Sequence, residues 1–265
     1  MLEALKPDDY LPLVKAALAE DIGSGDATTL ALVPGDSFAM AVMVARDPLV
    51  MAGVDLALAA FQEVDERVEF GIEIFDGQLG GLGQALLRVQ GPTRALLTAE
   101  RTALNFVQRL AGVATLTARF VEQVAGTGAE ILDTRKTTPG WRALEKYAVA
   151  CGSGTNHRMG LYDQVLIKDN HLASRGDTGN VAAAVTAAQA AFDVDVPVQV
   201  EVDTLEQLAQ ALDALPDMVL LDNMTTEQLA RAVEIRNQQA PTVVLEASGG
   251  ITLESLATVA GTGVD

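Results

Sequence analysis

Hydrophobic and polar positions follow two different patterns along this chain, and the first pattern covers roughly the first hundred residues. There, apolar residues recur at helical spacing in some segments and in extended runs in others, with Gly, Pro and Asp between them. The pattern predicts, in order, a helix over 8–20, a loop over 21–29, strands within 37–53 that break at Asp47-Pro48, a helix through LALAAFQEV, strands over 67–75 and 83–90, and a long amphipathic helix over TRALLTAERTALNFVQRLAG. This region is expected to be α+β.

From about residue 128 the rhythm changes to short apolar runs separated by helical segments. Strands are predicted at EILDT (130–134), QVLIKD (164–169), PVQVEVD (197–203), DMVLLDN (217–223) and TVVLEASGG (242–250), and helices over 179–192, 204–215 and 225–239. The helical segments TLEQL and TTEQL each begin with a Thr that can cap a helix. Apolar strands joined by helices indicate a parallel sheet that is covered on both faces. Because no Rossmann glycine fingerprint accompanies these strands, the pattern favours an α/β barrel over an open doubly wound sheet.

Composition narrows the class of protein. The chain has 265 residues, 49% of them apolar and one of them Cys, which suits one large or two modest domains with a real core. A single Cys excludes a disulfide framework or a multi-Cys zinc site and fits a reducing compartment. No apolar run reaches the roughly 18 residues of a membrane span, and the N-terminus MLEALKPDDY lacks the pattern of a signal peptide. We therefore expect a cytoplasmic globular protein with no membrane partner.

Charge is strongly acidic overall but is unevenly distributed. The 36 acidic and 18 basic side chains give a net charge of -18, which argues against nucleic acid as a partner. Residues 131–175, however, carry seven Lys or Arg against four Asp or Glu, together with both histidines of the chain, so the remainder carries -21. This stretch is either a solvated basic face or a local binding site for a small anion.

The carboxyl ends of the predicted strands carry the candidate chemistry. Each strand ends in charged residues or in residues suited to phosphate: Arg135-Lys136, Lys168-Asp169-Asn170-His171, Glu201 and Asp203, Asp222-Asn223, and Glu246 with Ser248-Gly249-Gly250. In a barrel, side chains from several strands converge at this face. The cations suit carboxylates or phosphates, and the oxygens of Glu201 and Asp222 suit Mg²⁺ or sugar hydroxyls. A Ser-Gly-Gly turn before a helix suits a phosphate.

These residues also make the sequence resemble the quinolinate phosphoribosyltransferase family. The resemblance covers nearly the whole chain through AERTALN (99–105), ILDTRKTTPGWRALEKYAV (131–149), GSGTNHRMGLYDQVLIKDNH (152–171), VEVDTLEQL (200–208), LLDN (220–223) and LEASGGI (245–251). It implies an N-terminal α/β sandwich domain over 1–109, an incomplete TIM-like α/β barrel over 110–265, and a homodimer. Family members continue past TGVD, so it also implies that the last barrel strand and the terminal helix are missing.

The resemblance further implies a role for individual residues. Quinolinate, a pyridine dicarboxylate, would be bound by Arg135, His157, Arg158 and Lys168, with Arg101 reaching in from the neighbouring subunit. Lys136 and Lys168 would face the pyrophosphate of phosphoribosyl pyrophosphate (PRPP) and the transition state. Glu201 and Asp222 would be catalytic and would hold Mg²⁺ or the ribose hydroxyls. Ser248, Gly249 and Gly250 would bind the 5′-phosphate.

The implied reaction is phosphoribosyl transfer from PRPP to quinolinate with loss of CO₂, giving nicotinate mononucleotide for NAD biosynthesis. Three alternatives stay open: a phosphoribosyltransferase-like paralogue of the molybdate-transport type with a different acceptor, a barrel lyase using Lys136 or Lys168 as a Schiff base, and an inactive binding or scaffold homologue. Simpler roles are expected for several other residues. Cys151 and Trp141 are expected to be packing residues, Arg142 and Lys146 a solvated helix face, and His171 a cap or a substrate contact.

Overall fold

The computed structural model describes residues 3–175, 180–192 and 196–265. Contacts within the chain divide it into unit 1, made of Met1–Arg119 and Leu132–Asn156, and unit 2, made of Phe120–Ile131 and His157–Asp265. The domain boundary predicted near residue 110 stays a prediction. Across the described residues, no helix combines the length and the apolar character that crossing a membrane requires.

Unit 1 contains an antiparallel sheet whose strands lie in the order β1 (Phe38–Val44), β5 (Ala85–Pro92), β3 (Glu69–Ile72), and a separate pair of β2 (Leu49–Val50) and β4 (Leu79–Gly80). Buried residues of the sheet and of the helices belong to one core. On β5, Leu87 and Val89 lie in the core while Arg88 and Gln90 are exposed, because successive side chains of a strand point to opposite faces. The elements are α1 (Pro7–Ile22), α2 (Ala27–Leu32), β1 (Phe38–Val44), β2 (Leu49–Val50), α3 (Val54–Val64), β3 (Glu69–Ile72), β4 (Leu79–Gly80), β5 (Ala85–Pro92), α4 (Thr93–Gln123), whose last residues enter unit 2, and α5 (Arg142–Cys151).

Unit 2 contains a parallel sheet whose strands pair in chain order, with helices between them along the chain. The elements are β6 (Val165–Ile167), α6 (Asp169–Ser174), α7 (Val181–Ala191), β7 (Val198–Val202), α8 (Leu205–Asp213), β8 (Met218–Asp222), α9 (Thr226–Gln239), β9 (Val244–Ser248) and α10 (Leu253–Ala260). The predicted strand–helix alternation is confirmed here. Thr204 and Thr225 cap α8 and α9 as predicted, each accepting a backbone N–H three residues on. Gly179, the first residue of a predicted helix, lies outside the described residues.

Two predictions of local structure are wrong. The loop predicted over 21–29 contains the start of α2, because the carboxylate of Asp26 accepts the N–H of Thr29 and begins a helix there. Residues 130–134, predicted to form a strand, belong to none of the strands described here. Leu132 makes one isolated parallel bridge with Thr155. The hydroxyl of Thr134 accepts the N–H of Lys136, and such a local turn competes with strand pairing.

Candidate active site

The parallel sheet of unit 2 has one apolar and one polar face. On β7, Val198, Val200 and Val202 are buried in the unit 2 core among the helices. The alternate residues Gln199 and Glu201 therefore point to the opposite face. We call this opposite face the polar face; Leu166 and Leu220 share it by register. The polar side chains on it or at its strand ends are Gln164, Lys168, Gln199, Glu201, Asp222, Glu246 and Ser248.

An ion pair joins β6 to β7 at the carboxyl end of this face. Ile167 pairs with Val200 in the parallel register, so the next residues, Lys168 and Glu201, lie side by side. Lys168 Nζ donates to Glu201 Oε2 at 2.5 Å. The Glu201 side chain is 14% exposed and that of Lys168 is 44% exposed. A mostly buried carboxylate thus lies against an ammonium that a solvent-borne anion can still reach.

The carboxyl ends of β8 and β9 lie side by side, and the turn that follows β9 requires glycine. Asp222 pairs with Ser248, and Asn223 Nδ2 donates to Asp222 Oδ2 at 2.7 Å. Gly249 adopts φ 98°, and a Cβ added there would clash with Asn223 Oδ1. Gly250 adopts φ 63°, and a Cβ added there would meet no atom within 4 Å. The chain then enters α10 through its cap, Thr252, so Ser248, Gly249 and Gly250 precede a helix start as the sequence predicts.

A buried hydrogen-bonded network lies farther down the polar face. Gln199, with no exposed surface, donates from Nε2 to Glu246 Oε2 at 2.6 Å. Its Oε1 lies 2.9 Å from His157 Nε2 and accepts from Gln164 Nε2 at 2.9 Å. Sequence reasoning singled out His157 and left Gln164 and Gln199 aside. Gln199 could have been found from the sequence, because Gln199 and Glu201 alternate with three valines and so occupy one face of a buried strand.

Arg158 lies in the loop that follows His157. Its Nη1 donates to the Gln164 carbonyl at 3.2 Å. Asp163 closes the same loop by accepting the N–H groups of Met159 and Gly160 at 2.6 and 2.8 Å. Burial alone would raise the pKa of Asp163, but these backbone donors outweigh it and lower that pKa. The loop that presents Arg158 is therefore held by a carboxylate that stays ionised.

Arg135 and Lys136 belong to unit 1, in the loop over 133–141. Arg135 Nε is buried and has no hydrogen-bond partner in the part of the chain that the structure describes, and Lys136 is exposed. A buried guanidinium donor without a partner is costly unless an acceptor binds there. Arg135 therefore has the character of an anion-binding residue.

Helix α5 holds this loop. Glu145 accepts the Thr138 N–H at 3.1 Å and the Thr138 hydroxyl at 2.7 Å, and Arg109 Nη2 donates to the same carboxylate at 3.0 Å. Burial would raise the pKa of Glu145, but these donors lower it. Arg142 adds bonds to the Thr137 hydroxyl at 3.2 Å and the Arg135 carbonyl at 3.4 Å.

The solvated face predicted for Arg142 and Lys146 is wrong. Lys146 is 1% exposed and forms an ion pair with Asp133. With its amide turned to match its neighbours, Asn156 donates to the Lys146 carbonyl at 2.9 Å and to Asp133 Oδ2 at 2.7 Å. A buried ammonium needs such partners. Asp133 and Asn156 lie outside α5, so the residue pattern along that helix could not reveal them.

Arg101 is exposed on α4. It belongs to unit 1 with Arg135 and Lys136, and the remaining predicted site residues belong to unit 2. The structure brings Lys168 next to Glu201, and Asp222 next to Ser248.

Cys151 and Trp141 have the packing roles expected of them, and His171 has the capping role, one of the two expected for it. Trp141 stacks on Phe106 with ring centroids 5.2 Å apart. Burial and the charge of Asp76 raise the pKa of the buried Cys151 thiol to about 12, which leaves it unreactive as a nucleophile. His171 Nδ1 accepts the N–H of Lys168 at 2.8 Å, which is the capping role.

Comparison with known proteins finds matches along both parts of the chain. Residues 26–111 match the family model described as quinolinate phosphoribosyl transferase, N-terminal domain, and residues 113–265 match that of the C-terminal domain. The nicotinate-nucleotide pyrophosphorylase [carboxylating] of Mycobacterium leprae is 48% identical over 270 residues, covering 100% of this chain and 93% of that protein.

Solved structures agree with these matches. The nicotinate-nucleotide pyrophosphorylase from Francisella tularensis superposes with a TM-score of 0.92 at 38% identity, covering 100% of this chain and 91% of that one. The enzyme of the same name from Ehrlichia chaffeensis gives 0.85 at 36% identity, covering 96% and 90%. The predicted fold class, a sandwich domain followed by an incomplete TIM-like barrel, is confirmed.

Proposed function

The chain belongs to the quinolinate phosphoribosyltransferase family, and we propose that it transfers the phosphoribosyl group of PRPP to quinolinate with loss of CO₂. The products are nicotinate mononucleotide and pyrophosphate. The observation that carries the proposal is the Lys168–Glu201 pair, which has Asp222 and the Ser248-Gly249-Gly250 turn on the next strands of the same sheet. Along the sheet, a cation (Lys168) is followed by two carboxylates (Glu201 and Asp222) and then by the turn at Ser248. These groups suit, in turn, the carboxylates, the ribose and the phosphate of the two substrates.

The two carboxylates of quinolinate are bound by cations. Arg135 supports this role because its buried Nε has no hydrogen-bond partner among the described residues, and Arg158 because it is held in a closed loop. A guanidinium matches a carboxylate with two parallel N–H donors. His157 and Lys168 complete the set in this proposal, and Arg101 is contributed by the second subunit of a homodimer.

PRPP binds through its two ends. Ser248, Gly249 and Gly250 hold the 5′-phosphate, since a glycine turn before a helix offers backbone N–H groups at close range. Lys136 faces the pyrophosphate, and its exposed ammonium is available to a solvent-borne polyanion.

The donor set fits a Mg²⁺ ion that arrives with PRPP. Among the described residues, no group of three or more His, Cys, Asp or Glu side chains forms a metal cage. Mg²⁺ is commonly held by one or two carboxylates together with substrate phosphates, and Glu201 and Asp222 supply two carboxylates. Bound there, Mg²⁺ would offset the negative charge of the departing pyrophosphate.

The chain's own residues act by position and charge. The ring nitrogen of quinolinate forms a bond to the anomeric carbon as the bond from that carbon to pyrophosphate breaks. Glu201 and Asp222 stabilise the positive charge that develops on the ribose, and Lys136 and Lys168 stabilise the leaving group. The bond to the carboxylate beside the ring nitrogen then breaks. Its electron pair stays on the ring carbon, stabilised by the adjacent positive nitrogen, and that carbon takes a proton.

A direct test follows turnover of two acceptors. With PRPP and Mg²⁺ present, the protein should consume quinolinate and leave nicotinate untouched, as measured by chromatography of the mononucleotide product. Turnover of nicotinate without quinolinate would point to the paralogue with a different acceptor and would overturn the assignment. The cytoplasmic location expected from composition stays a prediction.

A further inference from the structure

Glu246 and Gln199 form a hydrogen-bonded network with His157 at the polar face. The reaction described above gives neither Glu246 nor Gln199 a role. We propose that they are positioning residues: Glu246, acting through Gln199, fixes His157 as the tautomer that carries its proton on Nε2. The functional consequence rests on the proposed role of His157 in quinolinate binding. The tautomer itself does not.

The argument begins with Glu246. An ionised carboxylate only accepts hydrogen bonds, so the Gln199 atom 2.6 Å from Glu246 Oε2 must be the amide nitrogen. The Gln199 carbonyl oxygen is thereby turned toward His157. Because Gln199 is completely buried, solvent could not supply the lost hydrogen bonds if this amide were turned the other way.

The orientation of Gln199 then dictates the state of His157. Gln199 Oε1 can only accept, and it lies 2.9 Å from His157 Nε2, so that ring nitrogen must carry the proton. Gln164 agrees, because its Nε2 donates to the same oxygen at 2.9 Å and lies farther, at 3.4 Å, from His157 Nε2. Two N–H groups thus use the two lone pairs of one carbonyl oxygen.

Glu246 acts on the ring indirectly. Its Oε2 lies 3.7 Å from His157 Nε2, beyond hydrogen-bond distance, so its influence passes through Gln199. With Nε2 engaged by the protein, the imidazole is fixed both in rotation and in tautomer, as second partners fix catalytic and metal-bound histidines in general. Glu246 and Gln199 themselves make no contact with substrate in this proposal.

Nitrogen-15 NMR of histidine-labelled protein tests the assignment without any substrate. The chain has two histidines, His157 and His171, and a His171→Asn variant assigns the signals. The pH is raised until the spectrum stops changing, so that the neutral rings are observed. In the wild type, His157 should show a protonated-type Nε2 and a bare-type Nδ1. In Glu246→Gln, whose amide can donate or accept, a second population with the proton on Nδ1 should appear.

His171 is the internal reference, because its Nδ1 accepts from Lys168 and no part of that contact involves Glu246. Glu254→Gln, which changes an exposed carboxylate on α10, should leave the His157 spectrum unaltered. A wild-type His157 with its proton on Nδ1 would overturn the proposal, as would a Glu246→Gln spectrum identical to that of the wild type.

Kinetics link the tautomer to binding. His157 can donate to a carboxylate from Nδ1 while Nε2–H donates to Gln199 only when both ring nitrogens carry a proton. In Glu246→Gln, a Gln199 amide turned to donate to Nε2 excludes that form, so the KM for quinolinate should rise roughly tenfold with kcat much less affected, the scale of one weakened charge-assisted contact. An unchanged KM in a variant whose tautomer has shifted would remove the positioning role. Lack of quinolinate turnover in the wild type would overturn the proposed function and leave the NMR result standing, so the two failures are distinguishable.

Discussion

At the scale of single residues, the Lys168–Glu201 pair joins a mostly buried carboxylate to a partly exposed ammonium. Glu201 is mostly buried, so its charge acts at short range on anything bound at the polar face, while Lys168 remains accessible to solvent. An ion pair this exposed on one side contributes under about 1 kcal/mol to stability. If Glu201 has its proposed catalytic role, a change there should affect turnover far more than folding.

Replacing Glu201 tests this separation of activity from stability. Glu201→Gln should lower kcat about 100-fold, since it removes a fixed charge from the developing cation, with little change in the melting temperature. Glu206→Gln, on the exposed side of α8, is the matched control. Initial rates of pyrophosphate release and thermal unfolding measure both effects. Equal losses of activity in the two variants would contradict the account.

At the scale of elements, one helix holds a loop that carries two of the proposed substrate-binding residues. The loop over 133–141 presents Arg135 and Lys136, and α5 holds it through Glu145 and Arg142. Arg109 is 57% exposed, so its ion pair with Glu145 is weak. The bonds from Thr138 to the buried carboxylate therefore provide most of the support.

Glu145→Gln should loosen this loop. One amide oxygen replaces two carboxylate oxygens, so one of the two bonds from Thr138 is lost. We expect the KM for quinolinate to rise roughly tenfold, measured by steady-state kinetics. Glu20→Gln on α1, an exposed position in the same unit, is the control. If KM for quinolinate stayed at the wild-type value, α5 would have no part in positioning Arg135.

The turn after β9 allows a paired glycine test. Gly250→Ala meets only the strain of a positive φ, about 1–2 kcal/mol. Gly249→Ala adds a clash with Asn223 and should lower the free energy of unfolding further. It should also raise the KM for PRPP more than Gly250→Ala does. Chemical denaturation and kinetics measure these effects, and equal behaviour of the two variants would show that Asn223 does not restrict this turn.

The sequence predicts some elements well and others poorly for physical reasons. Strands β6 to β9 agree with prediction to within a few residues because runs of Val and Leu identify a buried parallel sheet without further context. The segment over 130–134 has the same local pattern but turns away after one bridge. The environment of Lys146 depends on Asp133, thirteen positions away, and the roles of Gln164 and Gln199 depend on β9. Partners that are distant in sequence decide these cases.

At the scale of the whole molecule, the net charge of -18 conceals a cationic segment. This net charge argues against nucleic acid as a partner, while residues 131–175 carry cations suited to the two small anionic substrates of the proposed reaction. The proposed dimer adds Arg101 from the second subunit to this set. A closed twofold assembly would then hold two equivalent sites, each incomplete in an isolated chain.

Mixed dimers test this arrangement. Arg101→Ala and Lys136→Ala should each be nearly inactive alone, because each removes a cation from every site. After mixing and subunit exchange, each heterodimer should regain up to about half of the activity of a wild-type dimer, since one of its two sites has all its residues. Exchange is verified by mass spectrometry of the intact dimers. If verified heterodimers stayed inactive, Arg101 would not act across subunits.

The central claim is the coupling of phosphoribosyl transfer to decarboxylation, and labelled quinolinate tests it most directly. The label is placed in the carboxylate next to the ring nitrogen, and labelled CO₂ and pyrophosphate are counted in the same reaction. The account predicts equal amounts of the two, both dependent on PRPP and Mg²⁺, and no pyrophosphate when nicotinate replaces quinolinate. Pyrophosphate release with nicotinate, or retention of the label in the mononucleotide product, would contradict it.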